Sequence, residues 1–234
     1  MEKRRSRPPD IGWLRQVGER LLRWWLVKML GTVLGMAAFF AAYFWLLRHP
    51  LFPVTEMPLI AIDRHVSFWP EALPLYLSLW FYVSLAPALL IDRCELVTYG
   101  LAAATLSVIG LGCFLFWPTA VPQPDVDWSQ HAAFGFLKSV DASGNACPSL
   151  HVAFAVFSAV WLARVLRQMG ASGAARMLNW LWCGGILFST VAIRQHVALD
   201  VLGGIVLGAV VAAAQVRLLR AFSGPAKIIG PAVP

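Results

Sequence analysis

Two histidines and an aspartate stand in two short polar clusters of an otherwise apolar chain. The clusters are Cys147-Pro148-Ser149-Leu150-His151 and Arg194-Gln195-His196-Val197-Ala198-Leu199-Asp200. Each opens directly into an apolar run, which puts it at the boundary of a membrane span. Titratable groups held near membrane depth are costly, and they persist chiefly where they do chemistry or conduct something. His196 and Asp200 are four residues apart, the spacing that sets two side chains on one helix face within hydrogen-bond reach. A carboxylate that holds one imidazole nitrogen leaves the other free as a nucleophile or base.

Composition says what must position them. Hydrophobic residues make up 59% of the chain and charged residues 13%, with a mean hydropathy of +0.68. Those values exclude an ordinary soluble domain and imply an all-α, polytopic membrane protein. Runs free of Asp, Glu, Lys and Arg cover Met29–Leu47, Ala72–Ile91, Leu96–Gln123, Ala142–Ala163, Met177–Ile193 and Val201–Val216. About 20 residues cross a hydrocarbon core, so six transmembrane helices are expected, the shorter ones borrowing flanking residues. The resulting division is a basic cytoplasmic segment at 1–25, a six-helix membrane domain at 26–222 and a disordered cytoplasmic tail at 223–234.

Two external segments follow from this division. Residues 48–71 contain four prolines and are too apolar for a free loop, so a short helix lying on the membrane face is expected there. Residues 118–147, opened by Pro118, Pro122 and Pro124, form the second. The fourth helix should begin at Pro148 or Ser149, since proline suits a first turn and serine is a good N-cap. Gly204 and Gly208 make a small-xxx-small face suited to close helix packing.

The charge of +7 is distributed by side rather than gathered for nucleic acid. With both termini inside, only Arg48, Arg64, Lys138 and Arg194 of the 19 basic residues fall outside, which is the positive-inside pattern. It predicts cytoplasmic termini, and it brings His151 and His196 to one outer face, toward the periplasm or exterior of a bacterial inner membrane. The basic lead, with Trp13, Leu14, Leu21, Leu22, Trp24 and Trp25, reads as an interfacial helix on anionic lipid. The eleven tryptophans suit interfacial anchoring. Cys94, Cys113, Cys147 and Cys183 show no CxxC spacing and read as free thiols. No metal or cofactor is expected, and the partners expected are the bilayer and a membrane lipid substrate. The sequence leaves the oligomeric state open.

Pro148-Ser149-Leu150-His151 followed by Gln195-His196-Val197-Ala198-Leu199-Asp200 resembles the paired signatures of the type 2 phosphatidic acid phosphatase (PAP2) superfamily. The resemblance is nearest to its branch of inositol phosphorylceramide synthases. It implies a metal-free phosphatase or phosphotransferase acting on a lipid phosphate or lipid headgroup at the outer leaflet. His196 would attack phosphorus and form a phosphohistidine, with Asp200 orienting the ring. His151 would protonate the leaving oxygen, then activate water or an alcohol. Arg194, Ser149 and Thr190 would hold the phosphate oxygens, with Arg64 as a further charge.

The chain departs from the superfamily's familiar cationic residues. Phe116 and Gln123 stand where the first motif has Lys and Arg, and Thr190 stands where the third has Arg. Headgroup transfer, as in inositol phosphorylceramide or sphingomyelin synthases, is therefore the alternative to hydrolysis.

Other residues read as background. Tyr76, Trp69 and Pro70 suit interfacial packing, His49, His65 and His131 face water or headgroups, and Asp125 and Asp127 are solvated loop charges. Two remote classes remain. Gly170-Ala171-Ser172-Gly173 resembles the serine motif of rhomboid proteases, but Arg164, Arg167 and Arg176 bracket Ser172 on the side opposite His196. A lipid transporter is the other, and it has no need of the two histidines and the aspartate.

Overall fold

The computed structural model describes residues 12–124, 126, 128, 134 and 144–222. The first ten residues, Asp125, Asp127, His131, Lys138 and the tail from 223 lie outside the described residues. The elements in order are α1 (Gly12–Leu22), α2 (Trp25–Arg48), β1 (Thr55–Glu56), α3 (Ala61–His65), α4 (Leu73–Leu77), α5 (Leu79–Leu89), α6 (Arg93–Phe116), β2 (Thr119–Ala120), α7 (Leu150–Gln168), α8 (Gly173–Ala192) and α9 (Ala198–Phe222).

The architecture is a helical bundle built around α7. Of its apolar window, 72% is buried, against 6% for α2. Phe157, Trp161 and Val165 on α7 are fully enclosed, packed with Tyr82, Ala86, Leu106 and Ile186 from α5, α6 and α8. An apolar helix at the centre gains from protein contacts on every side, whereas α2 turns Val27, Leu30, Val33 and Leu34 outward, as a lipid-facing helix does.

Among the described residues, five helices are long and apolar enough to cross a membrane: Trp25–Arg48, Pro70–Leu89, Arg93–Phe116, Leu150–Gln168 and Ala198–Leu219. The expected six are thus not all shown. The exception is α8, of similar length, which carries Arg176 and Asn179. Asn179 is nonetheless buried and satisfied. Its Nδ2 donates to the Ala159 carbonyl at 3.0 Å, and its Oδ1 accepts from the Tyr82 hydroxyl at 2.7 Å. Interhelical hydrogen bonds of this kind let a polar residue sit inside a bundle at little cost.

Local chemistry sets the helix ends near the site. Ser149 caps α7, its Oγ accepting from Val152 N at 3.3 Å, as its sequence position predicts. Asp92 caps α6 by accepting from Cys94 N and Glu95 N. The Ser172 hydroxyl accepts from Ala175 N at the start of α8. Ser172 thus lies a full helix of 20 residues from the turn bearing His196, about 30 Å at 1.5 Å per residue. That separation removes the Ser172–His196 protease pairing.

The two glycines bring α9 onto α7 as expected. A Cβ on Gly208 would strike the Ala153 carbonyl oxygen and stand 3.1 Å from its Cα. One on Gly204 would strike the Ser149 carbonyl oxygen and stand 2.9 Å from Val152 Cβ. At the other end of the bundle α1 packs Trp13 and Val17 on the core. There Arg20 and Lys28 donate to the terminal carbonyls of α5, at Leu89 and Ala88.

Gly208→Ala is expected to lower stability by about 1–3 kcal/mol through overpacking. Gly35→Ala, where nothing lies within 4 Å, should change it by less than about 0.5 kcal/mol. Thermal unfolding of both variants in one detergent measures the difference.

Candidate active site

His151 sits in the first turn of α7, and His196 lies in the turn that leads into α9. Their rings are 6.0 Å apart between centroids, so two residues 45 positions apart in sequence share one end of the bundle. A backbone hydrogen bond from Ser149 N to the Asp200 carbonyl, at 3.0 Å, ties the two motifs together. It forms where Gly204 lets the two backbones approach.

Asp200 is wholly buried. Its Oδ2 accepts from Val197 N at 3.1 Å and stands 3.5 Å from His196 Nδ1. The second distance suits a charge pair and is outside hydrogen-bond geometry. His196 precedes α9 by two residues, so the shared helix face expected from the four-residue spacing does not exist. A tight turn brings the pair together instead. Thr190, at the end of α8, accepts from both Gln195 N and His196 N through its carbonyl. Arg194 adopts φ 59°, the left-handed region that disfavours a side chain.

Buried polar atoms without a hydrogen-bond partner gather here. Among the described residues they include His151 Nε2, Gln195 Nε2, His196 Nδ1 and Asp200 Oδ1. Ser158 Oγ, Trp161 Nε1 and Arg164 Nε, further along α7, share this state.

The residues named for phosphate contact are placed differently from one another. Ser149 is buried as the α7 cap. The Thr190 hydroxyl donates to the Leu187 carbonyl within its own helix. Arg194 donates from Nη1 to the Asp63 carbonyl at 2.8 Å and from Nη2 to the Val66 carbonyl at 2.7 Å. Two of its five N–H donors are thus spent on the segment around α3. Arg64 lies exposed on α3 itself. His49 and His65 are exposed and bonded to carbonyls of their own helices, Trp45 and Ala61.

Asp63 is a site-building residue that the sequence did not single out. It is 3% exposed. Its Oδ2 accepts from Ile60 N at 2.9 Å and caps α3, while Oδ1 accepts from Ala198 N at 2.7 Å and caps α9. The short helix expected on the membrane face is therefore fastened to the histidine turn. The only local sign was an acidic residue at the third position of a short helix. Pairing of β1 with β2, Thr55 opposite Thr119, anchors the same segment from its other side.

Tyr76 was also passed over, as interfacial packing. Its ring stacks on His151 with centroids 4.5 Å apart, and Trp80 meets the same imidazole edge-on at 5.7 Å. Cys147 completes the floor, its N–H donating to Thr119 Oγ1 at 2.7 Å. Burial, then the nearby Asp200 carboxylate and Cys113, pushes its thiol up to about 11.

A family model of the PAP2 superfamily matches residues 95–223, from the first turn of α6 to just past α9, and this stretch contains both histidine motifs. No curated protein and no solved structure matches the chain.

Asp63→Ala leaves Ala198 N–H unpaired and should cost about 1–3 kcal/mol. It should also speed proteolysis between residues 57 and 66, read by limited digestion. Cys147 should resist alkylation at neutral pH, because the thiolate is the reactive form and is scarce below its raised pKa. Peptide mass spectrometry should show exposed Cys94 labelled at pH 7, and Cys147 labelling climbing only as pH approaches 11.

Proposed function

The chain belongs to the PAP2 superfamily, whose members are generally metal-independent phosphatases or phosphotransferases, and from that premise we propose that it transfers the phosphoryl group of a lipid phosphate or lipid headgroup at the outer leaflet. The observation that carries this reading is the meeting of His151 and His196 at 6.0 Å, with buried Asp200 behind His196.

The reaction runs in two halves. With Nδ1 turned toward Asp200, His196 presents Nε2, whose lone pair attacks phosphorus as the bond to the leaving oxygen breaks. His151 gives its proton to that oxygen. In the second half His151 takes a proton from water or an alcohol, which attacks phosphorus and breaks the phosphohistidine bond. An imidazole can both give and take a proton, which suits one residue to both steps.

Charge on the phosphate oxygens must be held throughout. The start of α9 is already occupied, since Asp200 and Asp63 accept from Val197 N and Ala198 N. The start of α7 is the better cradle. First-turn N–H groups of a helix have no intrahelical acceptor, and His151 itself lies in the first turn of α7. Arg194, with its remaining donors, and Arg64 supply positive charge. Ser149 and Thr190 act mainly by shaping the two motif turns.

Topology completes the reading. The apolar 26–222 region is the catalytic membrane domain, with α8 its sixth span, held inside the bundle by Asn179. The distribution of basic residues supports cytoplasmic termini for 1–25 and 223–234, and an outward-facing site. Phe116, Gln123 and Thr190 at the familiar cationic positions set the chain apart from a broad phosphatidate phosphatase, and transfer of a headgroup to an alcohol, as in inositol phosphorylceramide synthases, is the alternative to hydrolysis.

Purified protein should convert phosphatidate, a polyprenyl diphosphate, or ceramide with phosphatidylinositol. Inorganic phosphate as product identifies hydrolysis, and a new phospholipid identifies transfer. His196→Ala should lose activity on the order of a thousandfold or more; full activity in that variant removes the mechanism. Activity should also persist in chelator, and loss reversed by a divalent ion would remove the metal-free reading.

A further inference from the structure

The two histidines are supported by different kinds of group. His196 faces the Asp200 carboxylate at 3.5 Å. His151 faces an aromatic ring instead. Tyr76 is 1% exposed, and its ring lies on the imidazole with 21° between the planes. Trp80 closes the side at 73°. The Tyr76 oxygen is 3.5 Å from His151 Nδ1. That is a long and therefore weak hydrogen bond, made alongside the stacked rings. The contact is one of ring faces rather than a strong hydrogen bond.

This matters because His151 must carry a proton, and hence a positive charge, when it acts as an acid. Burial disfavours that charged form. Among the described residues, the titratable groups that meet His151 are His196 from the turn before α9 and Tyr76 from α4. Asp200 stands behind His196. The face of an aromatic ring is electron-rich and attracts a cation stacked on it.

We propose that Tyr76 is a positioning residue for His151, its ring face setting the imidazole plane and stabilising the protonated form. The proposal rests on the phosphoryl-transfer reading above. In the first half-reaction Nε2–H of the stacked imidazolium passes its proton to the leaving oxygen as the P–O bond breaks, leaving neutral imidazole. In the second, neutral imidazole takes the proton of the incoming water or alcohol and becomes a cation again. The π-face thus acts at the start of the first half and the end of the second.

The test compares two phosphate esters. A lipid phosphate leaves as an alkoxide and needs the proton, whereas a p-nitrophenyl ester leaves as a stable anion and does not. Tyr76→Leu, which removes the ring, is expected to slow phosphoenzyme formation from the lipid phosphate about tenfold. The p-nitrophenolate burst should stay within about twofold. Tyr76→Phe, which keeps the face, should hold both rates within about threefold. Equal losses on the two esters, or no loss on the lipid phosphate, would overturn the proposal.

Should Tyr76→Leu fail to fold, phenylalanines with increasing ring fluorination at position 76 keep the shape while draining charge from the face. The lipid-phosphate rate should fall with each fluorine, and a flat series overturns the proposal. The two readings fail separately. Wild-type protein that forms no phosphoenzyme from either ester removes the proposed function and this role with it. A wild-type phosphoenzyme with a flat position-76 series removes only the role of Tyr76.

Discussion

The approach of the α9 backbone to the α7 backbone is the constraint on which the rest depends. Gly204 and Gly208 allow it, and the bond from Ser149 N to the Asp200 carbonyl records it at the site. In lipid, helices gain little from burying apolar surface against one another, because the tails are equally apolar. Close van der Waals contact and interhelical hydrogen bonds must supply the attraction instead. A methyl group at either glycine would push α9 away from the cap of α7. Asp200 rides on α9, His196 on the turn just before it and His151 on α7, so the geometry of the three follows from two missing side chains.

A second constraint is the cost of burying polar atoms, and the protein meets it unevenly. Away from the site, Asn179, Tyr82 and Trp182 find partners in neighbouring helices. Atoms of His151, His196, Gln195 and Asp200 at the site are left without them, as are atoms of Ser158, Trp161 and Arg164 along α7. The surrounding structure holds this arrangement with bonds that leave the reacting groups alone. Asp63 caps α9, Arg194 pins the α3 segment, and the Thr190 carbonyl takes two N–H groups of the turn. The left-handed backbone at Arg194 is maintained by the same set.

How much of this the sequence disclosed depends on the range of the interaction. Ser149 as a cap and Gly204 with Gly208 as a packing face were legible because capping and small-residue spacing are local. The meeting of His151 and His196 was legible from the order of apolar runs. The His196–Asp200 relation was misread in detail, since a non-glycine residue at φ 59° leaves no sequence mark and the turn replaces a helix there. Asp63 with Ala198 was not legible, because nothing in a chain announces a bond between residues 135 positions apart. Tyr76 was discounted because aromatic residues near helix ends are common at membrane interfaces, and only the stacked geometry separates it from them. The sixth span was inferred from a charge-free run, while length and composition together single out five.

The clasp between Asp63 and Ala198 also sets an order on a newly made chain. Ribosomes add about 5–20 residues per second, so the carboxylate is made roughly 7–27 s before the amide it holds. Throughout that interval the α3 segment has neither Arg194 nor Ala198 to fasten to. His151 is made early, and His196 follows only with the turn before the final helix. The order of synthesis therefore keeps the two histidines apart until α9 docks on α7.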